Sequence, residues 1–296
     1  MRILSPLRCV DEVKPLSLAG ADEFYCGLMH SSQALNDRPN TPDFNFKSAQ
    51  ELKKAVCVAH ENNKSVYLAI NNLAPTLNEA LTQARIANEI NIDGCIVSNL
   101  LIIKKIHQSF PKLRLCASCL TATLNSQELC LLKSLGVRLV HLPRQLGLDD
   151  LNALNKNNPG VELSVFALNG MCVNIESFCS LHYLKKEYFI PCHHFKAARV
   201  IGDKGFGVES FNALINSPKF SCAICALRKL KKMGILSLKI EGRGMDLKNK
   251  IRSIQLLKEA CKLLDEKTSD LVFRGNCRKI FKYYLHEDCK KEYCYF

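Results

Sequence analysis

The chain has no uninterrupted apolar stretch of the roughly 18 to 20 residues that a helix needs to cross a bilayer, so a membrane span is not expected. Its opening residues, MRILSPLRCVDEVKP, contain neither a long apolar segment nor a small-residue cleavage site. A cytoplasmic location is therefore the expectation. GxSxG, HExxH, Walker and GxGxxG patterns are absent, which removes the common hydrolase and nucleotide-binding signals. Although the chain is basic, no aromatic-rich RNA-binding signature accompanies the charge.

What is present is a chain of 296 residues with 47% hydrophobic content, enough to bury a large core and too much for disorder. It holds 16 cysteines. In a large cytoplasmic protein thiols stay reduced, so that count points to metal or catalysis rather than disulfides, with most cysteines serving as packing residues. The formal net charge is +13. Between Ile190 and Gly244 ten Lys/Arg stand against three Asp/Glu, a net of +7, so more than half the excess lies in one segment. Such a region can attract an anionic small molecule or RNA. It can equally be a solvated helix face, since Arg228, Lys229, Lys231 and Lys232 crowd one helix.

The apolar pattern alternates strand and helix. Strand-like runs fall at Arg2–Pro6, Glu23–Gly27, Ser65–Asn71, Gly94–Ser98, Leu113–Ser118, Val137–Pro143, Val161–Ala167 and Ser237–Gly242. Helical patterns fill the intervals, from Val10–Ala19 to a last long one over Asp246–Glu266. Ser48 followed by Glu51 reads as a capping box, and Gly136 and Gly234 read as helix stops. Eight strands, each trailed by a helix, is the count of a closed parallel barrel. The expected fold is thus an α/β class (β/α)8 TIM-like barrel, with a cysteine-bearing insertion (168–222) after the seventh strand and a short C-terminal extension. The barrel unit is assigned to 1–245, and a C-terminal helix with a basic tail to 246–296. Barrel active sites lie at the C-terminal ends of strands, and the insertion leaves from one of those ends.

Cys172 and Cys179 are spaced C-x6-C, and Cys192, Cys222 and Cys225 follow in the same loop-rich region. Structural zinc favours close C-x2–4-C knuckles, whereas wide unpaired spacing suits an iron–sulfur cluster held by several loops. Reduced cysteines without ligand roles are an equal reading of the spacing alone. His193 and His194 are alternative ligands, or exposed loop residues. Lys239, Glu241 and Arg243 close the eighth strand at a spacing of two, which puts all three on one side near the mouth. Such a trio can bind a carboxylate, with Arg243 offering a planar fork, or form an internal ion-pair network. Asn71, Asn72 and Arg144 also fall at strand ends. Cys116 and Cys119 have redox-motif spacing, but no helix begins between them, so a thioredoxin-like role is not expected.

Taken together, ILSPLRCVDEVKPLSLAGADEFYCG, NFKSAQELKKAVCVAHENNKSVYLAINN, the F-x5-C-x6-C run of Phe166, Cys172 and Cys179, and the register from Cys222 to Arg243 resemble the collagenase-like peptidase family, number 32 of the unassigned (U) type. The resemblance covers roughly residues 1–250. It implies a barrel-like fold and a 4Fe–4S cluster on Cys172, Cys179, Cys192 and Cys222, with Cys225 as the alternative to Cys222. It further implies oxygen-independent hydroxylation of RNA bases or of a ubiquinone-precursor ring, with prephenate supplying the hydroxyl. The chain departs from the family pattern in several places. Ser164 stands where the motif has Glu, Asn169 and Ser177 where it has glycines, His182 where it has Ser, and Ser118-Cys119-Leu120 where it has S-T-Q.

Three functions compete at this point. A cluster-dependent hydroxylase would use Lys239, Glu241 and Arg243 as catalytic residues toward an anionic co-substrate, with Asn71 and Arg144 binding substrate. By its compactness the chain resembles the quinone-hydroxylating branch. A peptidase is the second reading, although no Ser–His–Asp or Cys–His motif can be located. The third is a cluster-bearing subunit that pairs with a homologue in a heterodimer, or binds RNA.

Overall fold

The computed structural model describes residues 1–30, 35–72, 75–170, 172, 175–178, 221–291 and 294–296. Eight parallel strands close on themselves in sequence order: β1 (Arg2–Pro6), β2 (Glu23–Cys26), β3 (Ser65–Ile70), β4 (Gly94–Val97), β5 (Arg114–Ala117), β6 (Val137–His141), β7 (Glu162–Leu168) and β8 (Ser237–Ile240), with β8 pairing back onto β1. The expected (β/α)8 barrel is the fold. Strands buried on both faces read as continuous apolar runs, as GCIV in β4 and SVYLAI in β3 do.

Helices follow the strands: α1 (Val13–Ala19), α2 (Ala49–Glu61), α3 (Leu77–Glu89), α4 (Leu100–Ser109), α5 (Ser126–Ser134), α6 (Leu148–Lys156), α7 (Leu227–Lys232) and α8 (Leu247–Lys262). Several starts are set by a local side-chain hydrogen bond. The Ser48 hydroxyl accepts from the Glu51 N–H at 3.2 Å, but the Glu51 carboxylate takes the N–H of Lys47 at 3.0 Å, so the expected box is only half formed. Complete boxes cap α3, from Thr76 and Glu79, and α5, from Asn125 and Glu128. Gly136 ends α5 with φ +89°, a conformation that glycine adopts without strain.

The core has two parts. A large apolar shell fills the space between strands and helices. Inside the ring, Leu4, Tyr25, Tyr67, Ile96, Cys116 and Leu139 form a separate small cluster. Below it, at the N-terminal floor, Arg2 Nε lies 2.9 Å from Glu23, Arg114 lies 2.6 Å from Glu162, and Arg2 also pairs with Glu162.

Helix α8 packs on α1 and β1, and its fully buried Lys250 donates to both Glu12 oxygens at 2.9 and 2.7 Å. Helix α9 (Asp270–Leu285) then packs on α8 and on the 3-10 turn Ile224–Ala226. The segment expected as a basic tail is thus helical. Phe273, Cys277 and Phe281 are its buried residues and recur every four positions, so the helical stripe was written there beneath a dense run of charge. No described helix is long and apolar enough to cross a membrane.

Candidate active site at the barrel mouth

The C-terminal ends of the strands converge on one pocket, enclosing about 410 Å³ with its mouth. Tyr25, Ala69, Asn71, Ile96, Phe166 and Lys239 form the walls, and Asp37, Arg38, Cys119, Arg144, Glu241 and Arg243 the rim. All five non-cysteine residues expected at the site are therefore brought together: Lys239, Glu241, Arg243, Asn71 and Arg144. The period-two alternation that put Lys239 and Glu241 on one side of β8 is the cause.

Their environments differ. Glu241 is the hub of an ion network, pairing with Arg38 and, at 2.9 Å, with Arg144 Nη1. Arg144 also meets Glu176 at 3.1 Å and lies 3.9 Å over the Phe166 ring. The Arg243 fork is committed inward. It donates to Asn36 at 2.8 Å and to Asn45 at 3.3 Å, lies 3.4 Å from Asp37, and is buried. It is a strut for the β2–α2 loop rather than an open carboxylate fork, and burial pulls its pKa down. Two glycines make this packing possible: a side chain at Gly27 would collide with Asn45 and Arg243, and one at Gly170 with Glu241.

Lys239 is different again. Among the described residues its ammonium has no carboxylate partner. It lies 4.6 Å from the Tyr25 ring and 5.2 Å from the Phe166 ring, and burial lowers its pKa despite the field of nearby acidic groups. Asn71 donates to the Ser118 hydroxyl at 3.2 Å, while its buried Oδ1 has no partner among the described residues. The six charged groups lining the pocket are four cations and two carboxylates, a net of +2. Cys116 and Cys119 are both buried, which pushes each thiol up to about 12. They are held as thiols by their burial.

Of the four expected cluster ligands, Cys172 and Cys222 are described; Cys179 and Cys192, like His193 and His194, lie outside the described residues. Ser221 O accepts from the Asn169 N–H and Ala167 O from the Ala223 N–H, each at 2.9 Å, so the returning chain lies antiparallel beside the end of β7. This brings the two ends of the insertion, one leading to Cys172 and the other carrying Cys222, to the same side of the mouth. Cys222 is buried, which raises its thiol pKa, and its carbonyl accepts from the Tyr295 N–H at 3.0 Å. Among the described residues no group of three or more His, Cys, Asp or Glu is arranged as a metal site. The donors that are described are soft thiols, the type that iron–sulfur clusters use.

Several mouth residues escaped sequence reading. Asn36, Asp37, Arg38 and Asn45 lie on the long β2–α2 connection, where no period marks them; its length was their only signal. His141, the last residue of β6, is buried, and among the described residues neither ring nitrogen has a partner.

The sequence profile of the peptidase family U32 matches residues 9–295. Two similar proteins are an uncharacterized protease of Methanocaldococcus jannaschii, 28% identical over 88% of this chain, and the tRNA hydroxylation protein P of Helicobacter pylori, 26% identical over 82%. The chain spans 65% and 60% of their respective lengths. Among solved structures, a member of the dihydrodipicolinic acid synthase family from Escherichia coli superposes with a TM-score of 0.51 at 9% identity, covering 96% of this chain and 80% of that one, a likeness of fold alone. The chain belongs to the peptidase family U32.

Proposed function

We propose that this chain is an iron–sulfur-dependent, oxygen-independent hydroxylase, with an anionic co-substrate such as prephenate bound at the barrel mouth. The observation that carries the reading is the buried Lys239 ammonium, which lacks a carboxylate partner among the described residues inside a pocket of net +2. A buried cation is costly unless it is paired, and a ligand carboxylate is the natural counter-ion. The unpartnered Asn71 Oδ1 would accept a hydrogen bond from a hydroxyl of the same ligand. Arg144, fixed between Glu176 and Glu241, lines the opposite wall and holds the Phe166 ring in place. Lys239 and Asn71 would thus orient the co-substrate, while the aromatic faces of Tyr25 and Phe166 keep water from its ring.

Cys172, Cys179, Cys192 and Cys222 would hold a 4Fe–4S cluster, with Cys225 as the alternative to Cys222. When bound, it supplies one-electron chemistry. The name of the Helicobacter relative, tRNA hydroxylation protein P, favours an RNA base over a quinone-precursor ring as acceptor. The basic charge agrees with an RNA partner, and a heterodimer with a homologue would be compatible with it. Peptidase chemistry has less support: both nitrogens of the buried His141 lack a carboxylate or nucleophile partner among the described residues.

The test is anaerobic purification with iron and acid-labile sulfide analysis, followed by incubation with unhydroxylated tRNA and prephenate without dioxygen. About four irons per chain, lost in Cys172→Ala and Cys222→Ala, together with hydroxylated base, is the expected result. Metal-free protein, or product oxygen drawn from labelled dioxygen, overturns the reading.

A further inference from the structure

The interior of a barrel of this kind is normally filled by apolar side chains. Here one layer is polar. Strand register places His141 beside Ser164, and Ser164 beside Ser237, across three consecutive strands. The three face inward: His141 stands two residues beyond the interior Leu139, Ser164 two beyond Glu162 of the floor network, and Ser237 two before Lys239. Each is at most 1% exposed. Among the described residues both His141 nitrogens and the Ser164 and Ser237 hydroxyls lack a hydrogen-bond partner. Four adjacent orphaned polar atoms in one layer are well above what a folded interior tolerates, since each left dry forfeits its hydration without a compensating hydrogen bond.

The charge around the layer identifies the ligand class. Lys239 above and Arg114 below both act on His141 and, with burial, hold its imidazole neutral. A neutral imidazole offers one donor and one acceptor, and each hydroxyl offers both. Two flanking positive charges exclude a cation. Water satisfies donors and acceptors together and is the usual occupant of buried polar cavities.

We propose that His141, Ser164 and Ser237 form a hydrated chamber beneath the pocket, whose ordered water bridges to the Lys239 ammonium, making His141 a positioning residue for that lysine. The inference is independent of which reaction the mouth performs. Water anchored from below solvates the ammonium on its floor side and keeps it protonated for an anion on its mouth side. The other groups facing Lys239 are Asp37 and Arg38 from the β2–α2 loop, Cys119 after β5, Arg144 after β6, and Glu241 and Arg243 beyond β8.

The test uses cyanate, which carbamylates only the free amine, with the modification of Lys239 followed against pH by peptide mass spectrometry. In His141→Phe the chamber loses its anchor and the lysine its water. The rate at a fixed pH below the midpoint rises about tenfold, equal to a one-unit fall in the midpoint. His141→Gln, which keeps a donor and an acceptor, restores the wild-type profile. Unchanged profiles in His141→Phe, or no rescue by Gln, overturn the proposal. A second measurement needs no variant: long-range nitrogen NMR of the whole protein should show His141 as one tautomer with cross-relaxation to long-lived water. Xenon binding in that layer instead would mark it dry and sink the idea.

Discussion

At the floor of the barrel two arginines, Arg2 and Arg114, face two glutamates, Glu23 and Glu162; at the mouth four cations face two carboxylates, with Glu176 adding a third from the loop after β7. Three of the four floor groups are partly open to solvent, the Arg2, Glu162 and Arg114 side chains by 35%, 31% and 29%, Glu23 is buried, and every charge there has a partner. At the mouth Arg243 and Lys239 are 3% and 7% exposed, and Lys239 is left over. A balanced, wet cluster needs no ligand to explain it. An unbalanced, buried one does, because an unpaired buried charge is costly. That difference supports the proposal that the ligand binds at the mouth.

The largest effect that would break this contrast is expected at Glu241. It is the shared carboxylate of Arg38 and Arg144, so Glu241→Gln leaves two mostly buried guanidiniums without their common counter-charge. Breaking a buried pair costs about 3–5 kcal/mol when a charge is left alone; here Arg38 keeps Asp37 at 3.0 Å and Arg144 keeps Glu176 at 3.1 Å, so the expected loss lies toward the lower end of that range. Denaturant midpoints of wild type and variant, compared at one pH, give the number. A loss below about 1 kcal/mol would mean that the mouth network is as solvated as the floor.

Lys239→Met should split function from stability. If the ammonium exists to meet a ligand anion, its removal abolishes the affinity for the anionic co-substrate, by about a hundredfold for one lost charged hydrogen bond. The fold, relieved of an unpaired charge, becomes more stable at neutral pH. The pH dependence has a definite sign. Burial lowers the Lys239 pKa in the folded chain, so between that value and its ordinary one the unfolded chain binds more protons. Stability therefore rises with pH across that window, and the deficit is full below it. Midpoints taken from pH 7 upward should show this contribution in wild type and lose it in Lys239→Met. A variant less stable than wild type at pH 7 would show that the lysine is paired after all.

How much of this was legible beforehand follows from which residues carry a period. The strands did: Glu23–Cys26 and Ser237–Ile240 were expected within two residues, because continuous β-branched and aromatic runs between helical patterns admit little else. The trio at 239, 241 and 243 was legible for the same reason. Its division of labour was not. Whether Arg243 reaches a ligand or a neighbour depends on Asn36 and Asn45, which come from a loop some 200 residues earlier with no pattern of its own. Helix α9 was missed because its apolar stripe of Phe273, Cys277 and Phe281 is narrow, and Arg274, Arg278, Lys279 and Lys282 dominate the composition. His141 was passed over because a single histidine in an apolar strand gives no sign of lacking a partner; only strand register shows that its neighbours are Ser164 and Ser237.

The smallest expected effect sharpens the comparison from the other end. Glu162 bridges Arg2 and Arg114 at the floor, as Glu241 bridges two arginines at the mouth, so Glu162→Gln is the matched substitution. Its side chain is 31% exposed and those of its partners 35% and 29%, so water can replace what the carboxylate gave. Arg2 also keeps Glu23 at 2.9 Å. Screening and that remaining partner reduce the expected loss to about 1 kcal/mol or less, the range of solvent-exposed pairs. The same denaturation measurement, run in low and high salt, checks both parts: a small loss that shrinks further with salt fits a solvated pair. A loss equal to that of Glu241→Gln would mean that burial does not separate the two ends, and the surplus charge at the mouth would have to be explained by something other than a ligand.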